Sequence, residues 1–176
     1  GGATVGDAPD DFAADGQPLH AEVSAVRNSE VDGVEDGCQI FGLGNWRNKL
    51  GETDALILCL PKTAQTYHYV GKAELEQLRA HAFVVNIGRG GTLDEKALLE
   101  QIQKGQLAGA ALDVFENEPL PTDNPLWDEP RILISPHVGR SLEGPAFKWQ
   151  VLFEENLRRY LAGEEMLHVV NYDKGY

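Results

Sequence analysis

The sequence predicts an α/β fold, a mostly parallel sheet with flanking helices. Three observations carry this expectation. Short apolar runs of strand length alternate with segments of helical period. No tight hairpin joins these runs, so crossover connections are expected. Arg89, Asp113 and His137 each stand at or just past the end of a separate run, and ligands of parallel sheets bind beyond the strands' carboxyl ends.

The elements follow in chain order. Glu22–Val26 reads as a strand ending in Arg27-Asn28-Ser29, and residues 30–53 read as irregular. Ala55–Leu60, "ALILCL", is a continuous apolar run closed by Pro61, expected to be a strand buried on both faces with Cys59 in the core. Lys72–His81 spaces Leu75 and Leu78 on one helical face, and Phe83–Ile87 is the next strand. Asp94–Lys104 is a helix: Asp94 can cap it, Ala97, Leu98, Leu99 and Ile102 form its apolar side, and Gly105 can end it. Ala108–Val114 and Ile132–Pro136 are further strands, and Phe147–Ala162 is a closing helix ended by Gly163.

Composition excludes several classes of function. The 176 residues include 28 acidic and 15 basic side chains, a formal charge of −13, which repels nucleic acid and anionic lipid. No apolar run approaches the roughly 20 residues that span a bilayer. The acidic, polar start does not resemble a secretory signal, and Cys38 and Cys59 are unpatterned, so a reducing, cytoplasmic setting is expected, with no metal site.

The chemistry concentrates in three stretches. "NIGRGGTLDE", residues 86–95, places one cation among glycines at a strand end. Such a turn either cradles a phosphate or bends tightly enough to project Arg89. "DVFENEPLP" puts Glu118 five residues after Asp113, and "SPHVGR" brings His137 in behind Pro136, with Gly139 permitting close approach. A histidine beside a carboxylate can pass a proton to a carbonyl or take one from an alcohol. An arginine nearby can fork onto a substrate carboxylate. The plainer alternative is a loop carboxylate and a satisfied loop histidine.

"LPKTAQTYHYV", the "NIGRGG" and "LDEKALL" segments, "GQLAGAALDVFENEPLP" and "ISPHVGR", in that order, resemble the signatures of the D-isomer-specific 2-hydroxyacid dehydrogenases, from about Ala21 to the end. The resemblance implies a Rossmann domain binding NAD or NADP, with a separate substrate domain. It makes Arg89, Glu118 and His137 the catalytic set. It places the coenzyme's carboxamide side near Asp113, the backbone of Leu60, Pro61 and Ile87, and Gly139. It also makes the glycines around Arg89 a projecting turn and not the phosphate cradle.

Against that pattern, the position of a G-x-G-x-x-G cradle falls on "TVGDAP", residues 4–9, with one glycine, Pro9 at the third place, and Asp7, Asp10 and Asp11 nearby. "GLGNWRN", residues 42–48, carries only the first two glycines. The expectation is therefore a Rossmann-like domain over residues 21–176 after a degenerate segment 1–20, with first strand and phosphate loop lost or remodelled and the substrate domain absent. An exposed strand edge then favours a homo-oligomer. Arg27 tilts any coenzyme preference toward NADP, with binding absent or weak for NADP(H) and NAD(H). The leading functional expectation is a repurposed enzyme running acid–base chemistry on a small carbonyl or carboxylic acid, such as isomerisation, elimination or cyclisation. An NAD(P)-dependent oxidoreductase of 2-hydroxy or 2-keto acids and a non-catalytic binding or assembly module are the alternatives.

Overall fold

The structure is a computed structural model that describes residues 21–27, 32–35, 38–42, 44–139, 145–170 and 172. The chain divides into two compact units between Gly51 and Glu52.

In the first unit β1 (Ser24–Val26) runs parallel to β3 (Cys38–Phe41), and β2 (Gly33–Glu35) pairs with β3 antiparallel. The segment read as irregular thus holds two short strands and a 3₁₀ helix, Trp46–Glu52. β2 escaped the pattern because all three of its residues are exposed and no apolar alternation marks it. Ile40, Phe41, Trp46 and Leu50 are buried, and the Arg47 guanidinium lies 4.7 Å from the Trp46 ring centroid. The "GLGNWRN" turn is occupied by the chain itself: Asp32 accepts from the Gly42 amide at 2.8 Å and from Asn45 Nδ2 at 2.9 Å.

The second unit is built on four parallel strands in the order β4 (Ala55–Leu58), β5 (Phe83–Asn86), β6 (Gly109–Leu112), β7 (Ile132–Ile134). Their carboxyl ends share one edge. α1 (Lys72–Leu75) and α2 (Glu95–Gln103) supply buried Leu75, Leu98 and Ile102 to a core that includes Leu58, Val84, Ala110, Leu112 and Ile132. Asp94 caps α2 by accepting from the Ala97 amide at 2.9 Å, and Gly105 ends it at φ +71°. α1 is shorter than its periodicity predicts. The Gln77 and Leu78 amides donate three residues back, to Glu74 and Leu75, so the chain tightens while Leu78 stays buried.

Among the described residues of this unit the opposite sheet face is only partly covered. Register aligns Ile57, Val85, Ala111 and Leu133 in one row across it, and Ile57 and Leu133 are 57% and 71% exposed. The expectation of a strand buried on both faces fails here, although parallel sheets are ordinarily covered on both sides. Cys59, expected in the core, lies just past β4 and is exposed. α3 (Pro145–Ala162) is also largely exposed from residue 150 onward, and Gly163 follows it at φ +70°. Among the described residues no helix is long and apolar enough to cross a membrane.

Candidate active site

Three loops leave the carboxyl ends of β5, β6 and β7, and glycines let their backbones touch. After β5 the buried Asn86 accepts from the Gly88 amide at 3.2 Å. A Cβ on Gly88 would lie 2.8 Å from both Leu60 N and Leu60 O, and one on Gly90 only 1.6 Å from Phe115 O. Gly91 adopts φ +79°. The glycines therefore let the Arg89 loop pack against the loops after β4 and β6. Arg89 is exposed, its Nη1 donates to the Gly88 carbonyl at 2.7 Å, and among the described residues it has no carboxylate at ion-pair distance.

Asp113 ends β6 and organises the loop that follows β7. Its carboxylate accepts from the Ser135 hydroxyl in a short bond, from the Val138 amide at 3.0 Å and from the Gly139 amide at 2.9 Å. The Ser135 hydroxyl, followed by the two amides, holds the carboxyl below its ordinary range. A Cβ at Gly139 would lie 2.9 Å from Asp113 Oδ2, so the glycine makes that approach possible. Within this clamp His137 is held at φ +54°.

Glu118 completes the set. Its Oε1 accepts from the Phe115 amide at 2.9 Å, and its Oε2 lies 2.8 Å from His137 Nδ1. The His137 bond, then the Phe115 amide, and last the Arg89 charge hold the Glu118 carboxyl below its usual range. With Glu118 ionised, Nδ1 carries its proton toward that carboxylate, and Nε2 is left to exchange a proton with a ligand. Leu60, Pro61 and Ile87 lie on the same edge, Ile87 being 55% exposed. Arg27 belongs to the first unit, where it pairs closely with Glu35.

Sequence reading missed a second cluster beside these loops. Glu116 Oε1 lies 3.0 Å from His68 Nε2, and the Glu116 amide donates to Glu95 Oε1 at 2.5 Å. Burial, reinforced by the Glu116 and Glu118 charges, pushes the Glu95 carboxyl up to about 7. His68, Asp94 and Glu116 offer ligand atoms within 4.8 Å of one another. The two carboxylates address opposite ring nitrogens, Nε2 at 3.0 Å and Nδ1 at 3.9 Å, so they bracket the imidazole instead of converging on one ion. A folded-state carboxyl near 7 against an ordinary 4.5 means that the folded chain holds this proton more tightly. Stability contributed by Glu95 is therefore lost as pH rises between those values. Glu95→Gln should flatten that part of the profile, and melting temperatures taken below, within and above the window would check it.

With this geometry in view, the relatives can be placed. A family model described as the NAD binding domain of D-isomer specific 2-hydroxyacid dehydrogenases matches residues 4–139. The chain belongs to this family. Glyoxylate/hydroxypyruvate reductase B from Pectobacterium carotovorum is 40% identical over 122 residues, covering 69% of this chain and 38% of that protein. Its namesake from an Enterobacter species is 41% identical over the same share. The chain thus spans less than half the length of these family members. Among solved members, an NADPH-dependent glyoxylate/hydroxypyruvate reductase from Sinorhizobium meliloti, in complex with NADP and sulfate, superposes with a TM-score of 0.79 at 32% identity, covering 88% of this chain and 49% of that one. A D-isomer specific 2-hydroxyacid dehydrogenase from Xanthobacter autotrophicus, in complex with NADPH and MES, gives 0.78 at 28% identity over 88% of this chain and 72% of that one. The parallel sheet with its helices is the Rossmann-like architecture of the family's NAD-binding domain. The stretch expected to be a degenerate cradle, residues 4–9, falls inside the family match but outside the described residues.

Proposed function

We propose that the chain is the coenzyme-binding part of an NAD(P)-dependent oxidoreductase that interconverts small 2-keto and 2-hydroxy acids, of the glyoxylate or hydroxypyruvate type. The observation that carries this reading is the 2.8 Å Glu118–His137 pair, on the same sheet edge as Arg89, whose charge acts on Glu118. The relatives favour it over the expected cofactor-free isomerase or cyclase, for which no relative named above speaks.

The described residues fit the nicotinamide half of a coenzyme. Ile87 and Val138 offer exposed apolar surface at the strand ends, 55% and 63%, and the backbone around Leu60 and Pro61 lies on the same edge. These residues would hold the ring; when bound, the nicotinamide supplies or accepts hydride. Arg89 holds the substrate carboxylate through its planar fork of donors. In the reducing direction His137 Nε2 gives its proton to the carbonyl oxygen, while Glu118 steadies the ring through Nδ1. In the reverse direction the same nitrogen takes the alcohol proton.

Intrinsic fluorescence titrations with NADPH and NADH test the reading, followed by absorbance of NADPH with glyoxylate or hydroxypyruvate present. Saturable NADPH binding is the expected result. A chain that binds neither nucleotide at millimolar concentration would overturn the proposal.

A further inference from the structure

Glu118 depends on a short loop, residues 115–118, whose geometry is fixed from outside the proton-transfer pair. Two consecutive amides of that loop donate to two different carboxylates. The Phe115 amide donates to Glu118 at 2.9 Å, and the Glu116 amide donates to Glu95 at 2.5 Å. The Phe115–Glu116 peptide is thus gripped on both sides, its carbonyl against Gly90 and its N–H by Glu95. The Glu116 side chain returns to the start of α2, accepting from the Glu95 amide at 3.4 Å, and it binds His68 Nε2 at 3.0 Å. His68 is itself fixed: its amide donates to the Gly91 carbonyl at 2.7 Å, and its ring stacks on Tyr67 with centroids 4.0 Å apart.

Resting on the reading of Glu118 and His137 as the proton-transfer pair, we propose that Glu95 is a positioning residue for Glu118, acting through the Glu116 amide, and that His68 holds the Glu116 side of the same clamp. Among the described residues Glu95 makes its hydrogen bonds to Glu116 and none to Glu118 or His137, so it acts by stopping rotation of one peptide. Without it the Glu116 amide loses its acceptor, the peptide turns, and Glu118 no longer meets the Phe115 amide and His137 together. An ordinary acid in the first turn of a helix would stabilise α2 through the helix dipole and leave Glu118 untouched.

The test follows the side-chain carboxyl carbon of Glu118 by NMR through a pH titration of the chain without coenzyme or substrate. Glu118→Gln assigns the resonance. Glu95→Ala is expected to raise the Glu118 midpoint toward the ordinary carboxylate value by about 0.5 pH unit or more. Glu95→Gln still offers an oxygen to the Glu116 amide and should keep the midpoint of the unsubstituted chain. His68→Asn suits the left-handed backbone at residue 68, φ +48°, but is too short to reach Glu116; it should shift the midpoint in the same direction by less. An unchanged Glu118 midpoint in Glu95→Ala overturns the proposal, whatever happens to the melting temperature. Failure of both Glu95→Ala and His68→Asn to fold also overturns it, by making the cluster purely structural. Because the titration needs no nucleotide, a failure to bind NADPH sinks the functional reading without altering this outcome.

Discussion

His137→Gln should lower the rate of keto-acid reduction by about 10²–10⁴-fold, the usual contribution of a positioned general acid. NADPH affinity should not change. The reason lies in the division of labour within the loop that follows β7. Asp113 sets that loop through Ser135 and two amides, and none of those bonds uses the imidazole. Glutamine cannot supply a titrating nitrogen, so the loss should fall on kcat and not on coenzyme binding. Steady-state kinetics beside a fluorescence titration separates the two. A variant that keeps most of its turnover would remove His137 from the chemistry. A variant with weakened NADPH binding would show that the ring packs on the coenzyme.

The second large effect belongs to Gly90. An alanine methyl would stand 1.6 Å from Phe115 O and 2.0 Å from Phe115 C, both backbone atoms. No rotamer can relieve that contact, so one strand-end loop must move. Overpacking of this kind costs about 1–3 kcal/mol. The displaced loop leads from Phe115 to Glu118, so activity should fall further than stability. Urea unfolding of Gly90→Ala would show a lowered midpoint, with Gly44→Ala as the control, because nothing lies within 4 Å of a Cβ there. Equal midpoints for the two variants would contradict the described contact.

Strong local signals made most of the second unit legible. β4, β5, β6 and α2 follow from apolar runs and from Asp94 and Gly105, and the observed elements keep to those residues. The placement of Arg89, Glu118 and His137 beyond the strand ends was legible because each follows a strand whose end is marked by Pro, Gly or a polar switch. What escaped depends on contacts distant in sequence. Glu95 looks like an ordinary helix-start acid until Glu116, 21 residues later, folds over it. Ser135 is inconspicuous until Asp113 reaches it across the β6–β7 pair. β2 was not legible because it carries no apolar side to set it apart from the acidic and glycine residues around it.

His137 sits at φ +54°, where glycine and asparagine are at ease and most side chains are not. Holding a side chain in such sparsely populated backbone typically costs on the order of 1–3 kcal/mol. Directed evolution that ranks variants by heat tolerance alone would then drift toward glycine at this position and discard the imidazole on which the proposed function rests. Thermal ranking of a library should hold residue 137 fixed, or select on turnover as well.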